Sequence, residues 1–311
     1  MRLAVVTPTL RRPEALEIAI RSVMAQRGLD ARPDEMVISD NDPEGSAREV
    51  VERLAREAPF PLIYVHAPKP GIATARNTGL AATDAELIAF LDDDEVASPG
   101  WLSALRQTQA TLGVKVVFGP IRGRAPSAPE AIRPYLERFF GRTGPDQDGL
   151  IDEPYGCGNS LFVRAGTLDR APPFDLEADQ SGGEDDALFQ RLEVSGIQWG
   201  WSAQAWVDEA APPHRSNLSY ALRRAFAFGQ SPSQLAARHR NWVNVLGWMV
   251  VGSGQFVVFG AVAAIQWLIG HAARLDTTDR AIRGLGKLFW MKPFEPQFYG
   301  MAELKRTQRA G

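Results

Sequence analysis

Two periods of hydrophobicity interleave along the first third of the chain. Short apolar runs at residues 3–6, 36–39, 62–65 and 87–91 have strand length, and segments 13–26, 44–57 and 71–82 between them carry apolar residues at helical spacing. Pro13 suits the first turn of its helix, where a missing N–H costs nothing. Such strand–helix alternation predicts an α/β fold: a mostly parallel sheet with helices on both faces and ligands at the carboxyl ends of the strands. Polar clusters fall at those ends: Thr7 and Thr9 after the first strand, Asp40, Asn41 and Asp42 after the second, Asp92, Asp93 and Asp94 after the fourth. Further on, the pattern predicts a helix over 101–112, strands over 114–118 and 160–163, and a helix over 184–194. A Pro/Gly/Asp-rich stretch, 142–158, reads as a loop placed to lie over a site.

Residues 241–270 contain no charged side chain, a run long enough to cross a bilayer. A buried core helix is the competing reading, but core helices of this length usually keep a polar face. Arg223, Arg224, Arg238 and Arg240 precede the run, and Arg274, Arg280, Arg283 and Lys287 follow it. A simple crossing would leave one basic flank on the far side, against the positive-inside tendency. The Gly252-Ser253-Gly254 break permits two short helices that dip into one leaflet and return, so the pattern predicts monotopic or peripheral attachment.

Composition adds scale and asymmetry. With 311 residues, 45% apolar and 23% charged, the chain has room for a large α/β domain and an appendage, which excludes bulk disorder and a polytopic transporter. The net charge of -3 divides sharply. Residues 1–209 hold 21 Lys+Arg and 33 Asp+Glu, a net of -12, and the remainder holds 13 and 4, a net of +9. The expected division is therefore 1–210, in two halves of about 1–120 and 121–210, followed by a basic helical region, 211–311, that meets an anionic surface. Nucleic acid is the weaker partner, because a long uncharged segment makes a poor phosphate-tracking surface. Cys157 is the single cysteine, so an internal disulfide, a zinc finger and an Fe–S cluster are excluded; with no signal-peptide pattern, a reducing, cytoplasmic setting is expected.

Asp92-Asp93-Asp94-Glu95 places four carboxylates at one strand end, where they repel unless something positive joins them. A divalent cation, Mg²⁺ or Mn²⁺, answers that need, and a solvated acidic loop is the alternative. Glu184-Asp185-Asp186 opens a helix after Gly182-Gly183, where ionised carboxylates are favoured either as a cap or as a working group.

The segments VVTPTLRRPEALEIAIRSVMAQ, VISDND, GIATARNTGL, IAFLDDDEVASPGWL and GGEDDALFQRL occur in that order over residues 1–210. Together they resemble the family 2 glycosyltransferases, inverting metal-dependent enzymes of the GT-A fold, and most of all bacterial transferases of exopolysaccharide (succinoglycan-type) and lipopolysaccharide synthesis. The resemblance implies a hexosyl transfer from a nucleotide-diphosphate sugar, a UDP-sugar, to a lipid-linked saccharide or glycolipid at the cytoplasmic face of the inner membrane. It also implies a DXD-type Mn²⁺ or Mg²⁺ site. By the same resemblance Thr7, Pro8 and Thr9 line the nucleotide pocket, and Asp40 accepts from the base N–H, unless it closes an Asx-turn. Asp92 reaches the ribose or a metal-bound water and, with Asp94, ligates the metal, and Asp93 belongs to the cofactor-binding set. Arg76 and Asn77 either touch the diphosphate or hold the acidic loop. Asp185 is the base and Glu184 binds the acceptor. Asn159, in Gly156-Cys157-Gly158-Asn159, contacts a sugar, and His214 is a further metal ligand or a packing residue. Cys157 reads as a small packing residue.

The QxxRW motif of processive synthases is absent, so one sugar per encounter is expected. A soluble nucleotidyltransferase or sugar-nucleotide pyrophosphorylase is the alternative enzyme, although it would need neither the Glu-Asp pair nor the apolar run. Because all the motifs precede Arg240, truncation there is expected to leave donor binding intact.

Overall fold

The computed structural model describes residues 1–28, 32–301, 303 and 304. These residues divide into two compact units that interleave along the chain. The first comprises 1–124, 140–210 and the segment from Phe298; the second comprises 125–139 and 211–297.

In the first unit the chain runs β1 (Leu3–Thr9), α1 (Pro13–Met24), β2 (Glu35–Asp40), α2 (Arg48–Leu54), β3 (Leu62–His66), α3 (Ile72–Ala81), β4 (Leu87–Phe90), β5 (Glu95–Ala97), α4 (Trp101–Leu112), β6 (Val116–Phe118) and β7 (Ile121–Arg124). After α5 (Arg133–Phe140), most of which belongs to the second unit, come β8 (Gly149–Ile151), β9 (Ser160–Val163), α6 (Glu184–Val194), β10 (Trp199–Trp201) and β11 (Val207–Ala210). The described residues form an eight-stranded sheet in the order β3-β2-β1-β4-β9-β6-β10-β8 and a three-stranded sheet, β5-β11-β7. The β3-β2-β1-β4 half is parallel, and β9 runs antiparallel between β4 and β6.

The parallel half follows from its sequence. Every residue of β1, β2 and β4 is buried, as expected for strands covered on both faces, whereas β3 at the edge is only half-buried. Leu16, Ala19, Ile20 and Val23 recur at three and four residues along α1 and seat it on one face with Leu3, Val5 and Trp101. On the other face Phe90, Phe118, Phe162, Phe174 and Phe189 form a connected aromatic cluster. The stretch 142–158 is not wholly a loop: β8 forms within it and pairs antiparallel with β10.

The second unit contains α7 (Leu218–Arg238), α8 (Trp242–Leu268) and α9 (Arg274–Leu288), with α5 tied to α9 by Tyr135 Oη donating to Asp279 Oδ2 at 3.0 Å and by Arg138 to Asp276 at 2.7 Å. Here the structure corrects the expected break at Gly252-Ser253-Gly254: α8 is one continuous helix of 27 residues. Gly252 serves close packing instead, since a Cβ there would lie 2.6 Å from the Gly284 carbonyl oxygen of α9.

Candidate active site

The chemistry-bearing residues converge at the carboxyl ends of β1 and β4, where parallel strands deliver their loops. Thr9 ends β1 and donates through Oγ1 to Asp93 Oδ2 at 2.8 Å, tying the first loop to the acidic one. Thr7 and Pro8 are buried in the strand, and Thr7 Oγ1 has no hydrogen-bond partner among the described residues. Burial pushes the Asp93 carboxyl up to about 6, although Arg12 beside it and the Thr9 hydroxyl pull the other way. Arg12 Nη1 donates to both Asp93 (3.0 Å) and Asp94 (2.9 Å), and its Nη2 to Glu303 (2.9 Å). One guanidinium thus serves three carboxylates.

Asp92 sits at the open side of this cluster. Burial raises its carboxyl above the ordinary range, Asp94 and Asp185 push the same way, and Arg76 opposes them from 3.6 Å. Among the described residues its buried Oδ1 has no hydrogen-bond partner. Arg76, reaching in from α3, pairs at short range with Glu184 on the first turn of α6, both side chains being nearly inaccessible. Burial works against the Arg76 cation, but Glu184, Cys157, Asp92 and Asp185 together outweigh it and hold the guanidinium charged.

The Gly156-Cys157-Gly158 segment runs between the two carboxylate groups. A Cβ on Gly156 would lie 3.2 Å from Asp185 Oδ2, and one on Gly158 would lie 2.9 Å from Asp92 Oδ2. Both glycines are therefore sites of close backbone approach. Asp185, half-exposed at the start of α6, and Asp92 face this segment from its two ends. Cys157 is fully buried and burial pushes its thiol well up, which fits a packing residue.

Several residues expected at the site are turned inward. Asp40 is inaccessible: Oδ1 accepts from the Asp42 N–H (3.0 Å), and Oδ2 from the Ala47 N–H (2.8 Å) and Tyr64 Oη (3.0 Å). It closes the turn after β2 and does not present an acceptor to a base. Asn77 clasps the backbone of Phe174 through both ends of its amide, at 2.8 and 3.0 Å. Asn159, also inaccessible, donates to the carbonyls of Pro120 and Ala205 and accepts from Trp101 Nε1, so its amide has no face for a sugar. Glu184 is likewise engaged with Arg76 and buried away from an acceptor. His214 belongs to the second unit, in the turn before α7, where its carbonyl accepts from Asn217.

Arg12, Arg142 and Glu303 were not singled out by sequence. Arg142 is held against Phe118 and Tyr155 and donates to the Gly156 carbonyl at 3.0 Å, which fixes the glycine segment. An arginine pair at the end of β1 opposite four carboxylates was the available signal for Arg12. No local signal marks Glu303. The segment that carries it belongs to the first unit, with Phe298 fully buried and the Met301 N–H donating to Gln180 Oε1 at 3.0 Å. The expectation that truncation after Arg240 spares the donor site is thereby corrected, because part of the site lies beyond it.

As to a cation, no three His, Cys, Asp or Glu side chains among the described residues converge into a cage. The residues nonetheless fit a hard divalent ion that takes most of its ligands from phosphate and water: the donors are carboxylate oxygens, and Asp92 Oδ1 is buried without a hydrogen bond.

Residues 4–168 match the profile of Glycosyl transferase family 2. The chain belongs to this family. It is 35% identical over 280 residues to the succinoglycan biosynthesis protein ExoM of Rhizobium meliloti, covering 89% of each chain. It is also 33% identical over 119 residues, 38% of this chain and 37% of the other, to a GalNAc(5)-diNAcBac-PP-undecaprenol beta-1,3-glucosyltransferase of Campylobacter jejuni. Among solved structures, the mannosyltransferase PcManGT of Pyrobaculum calidifontis, in complex with GDP-Man and Mn²⁺, superposes with a TM-score of 0.62 at 16% identity, over 94% of this chain and 88% of that one. The fold is accordingly GT-A-like, and the family assigns a glycosyltransferase role rather than that of a nucleotidyltransferase.

Proposed function

We propose that this glycosyltransferase moves one sugar, with inversion, from a nucleoside-diphosphate sugar, a UDP-sugar, to a lipid-linked saccharide or glycolipid in bacterial surface-polysaccharide synthesis. The observation that carries the reading is the placement of Asp185 and Asp92 at the two ends of the Gly156–Gly158 segment, with Arg76 reaching toward both sides. Asp185 takes the proton of the acceptor hydroxyl as its oxygen attacks the anomeric carbon. The bond from that carbon to the diphosphate breaks on the opposite face, and the diphosphate leaves with the electron pair. Asp92 and Asp94 would hold a Mn²⁺ or Mg²⁺ ion, which when bound offsets the charge developing on the leaving group. Glu184 and Arg76 position the reacting carboxylates, Thr7, Pro8 and Thr9 form the floor of the nucleotide pocket, and Asp93 holds Arg12.

Likeness to ExoM and to an enzyme named for an undecaprenol-linked substrate supports a lipid-linked acceptor. The exposed apolar α8 supports docking on the cytoplasmic face of the membrane, with its basic neighbours against anionic lipid. The test incubates the protein with a panel of nucleotide sugars and Mn²⁺ or Mg²⁺ and measures nucleotide release. One donor should stand out, and excess EDTA should abolish the release; undiminished release in EDTA would refute the metal assignment.

A further inference from the structure

Among the described residues, the apolar helix α8 is buried along a single stripe. Val245, Gly252 and Ala263 are buried at spacings of seven and eleven residues, two and three helical turns, while Val243, Leu246, Val250, Val257, Ile265 and Leu268 stand exposed around the rest. The buried stripe lies against α9 from end to end. The Trp242 and Trp290 rings pack with centroids 6.5 Å apart. Gly252 and Gly284 meet backbone to backbone. Gln255 donates to the Arg280 carbonyl at 2.8 Å and accepts from Lys287 Nζ at 2.9 Å, and Trp267 Nε1 donates to Thr278 at 3.2 Å. Helix α9 is not apolar: it carries Asp276, Asp279, Arg280, Arg283 and Lys287. Gly229 of α7 presses on the Arg283 carbonyl, and Gly286 of α9 on that of Phe226, so glycine contacts join all three helices.

Resting on the membrane-docking reading above, we propose that α8 lies lengthwise within one leaflet and does not cross the bilayer. A helix of 27 residues measures about 40 Å, enough by itself to traverse roughly 30 Å of hydrocarbon. Standing it upright, however, carries α9 with it and takes charged side chains such as Asp279, Arg280 and Arg283 to hydrocarbon depth, where such groups are strongly disfavoured. Laid flat, α8 places its exposed apolar sides in the acyl region and α9 on its back at headgroup level. The ends then agree. Arg238 and Arg240 precede the first turn, and the Arg274 guanidinium lies 5.1 Å from the Trp267 ring centroid at the last, so cations at both ends face one anionic surface.

The experiment labels the full-length protein with a nitroxide at one of four exposed positions a heptad apart, Val243→Cys, Val250→Cys, Val257→Cys or Ala264→Cys, with the wild type and its buried Cys157 as the background control. Each variant is bound to vesicles of phosphatidylcholine and phosphatidylglycerol and floated, and collision with oxygen and with a water-soluble nickel chelate gives the depth. Similar hydrocarbon depths at all four positions are expected. A depth that peaks mid-helix, with the two ends reached by chelate from opposite sides of the vesicle, overturns the flat orientation and leaves the docking reading standing. Failure to float overturns the docking reading itself. Protein that stays soluble without detergent as a dimer, with spin–spin broadening at these positions, assigns the face to a second copy and also overturns the proposal.

Discussion

Replacing Arg76 by methionine probes the centre of the site. Arg76 and Glu184 have side chains 6% and 4% exposed, so their pairing has little solvent screening, and Asp92 adds a second carboxylate at 3.6 Å. Methionine keeps much of the length beside Phe174 and removes the charge. Breaking such a pair by removing one partner costs about 3–5 kcal/mol, most of it from stranding the remaining ion. That is a large share of the roughly 5–15 kcal/mol that holds a domain folded. Glu184→Gln should cost a similar amount by stranding the arginine, and the double variant Arg76→Met/Glu184→Gln, with neither ion left, should recover part of the loss. The coupling between the two positions should reach about 2 kcal/mol or more. Urea unfolding of all four proteins at neutral pH, followed by tryptophan fluorescence, measures it. Additive losses, with coupling below about 0.5 kcal/mol, would refute the claim that this ion pair holds α3 to α6.

Asp185→Asn should bind nucleotide with near wild-type affinity in calorimetry yet lower turnover by about 10²-fold or more, the scale of a lost general base; normal turnover would place the base elsewhere. Truncation after Gln297 should destabilise the first unit by at least the roughly 2–3 kcal/mol of burying Phe298, and should weaken nucleotide binding by releasing Arg12 from Glu303; unchanged affinity would show that the segment is not part of the site. Asp93 supplies a pH signature. Its carboxyl is raised to about 6, so the folded protein binds this proton more tightly than the unfolded chain. The associated stability is therefore full below the ordinary carboxyl range and is lost as pH rises through about 6. From pH 4.5 to pH 7.5 wild type should lose unfolding free energy relative to Asp93→Asn, which has no carboxyl to ionise; a constant difference, or one that moves in favour of wild type, would contradict it.

The parallel half of the sheet was legible because doubly covered strands leave continuous apolar runs, and Asp92 and Asp185 were candidates because carboxylates at a strand end and a helix start suit a cation or a base as well as a solvated loop or a cap. The strands β5, β7, β10 and β11 were not, since three or four residues show no period. Residue type misled at Asn159 and Asp40. Each carries the polar groups a ligand would want, but these are taken by backbone groups and by one side chain apiece, Tyr64 for Asp40 and Trp101 for Asn159, that only folding brings near. Gly252 misled differently. A glycine that interrupts a helix and one that lets two helices touch look alike until the second helix is in view.

The interleaving of the two units bears on the order in which the protein is made. Translation completes the stretch 211–297, apolar helix included, before it reaches Phe298 and Glu303, yet those last two belong to the catalytic unit. A growing chain therefore holds every sugar-transfer motif long before it can finish the fold around them. The first unit is therefore completed only after the apolar helix α8 has been synthesised, so the fold around the carboxylate cluster cannot close before that helix exists.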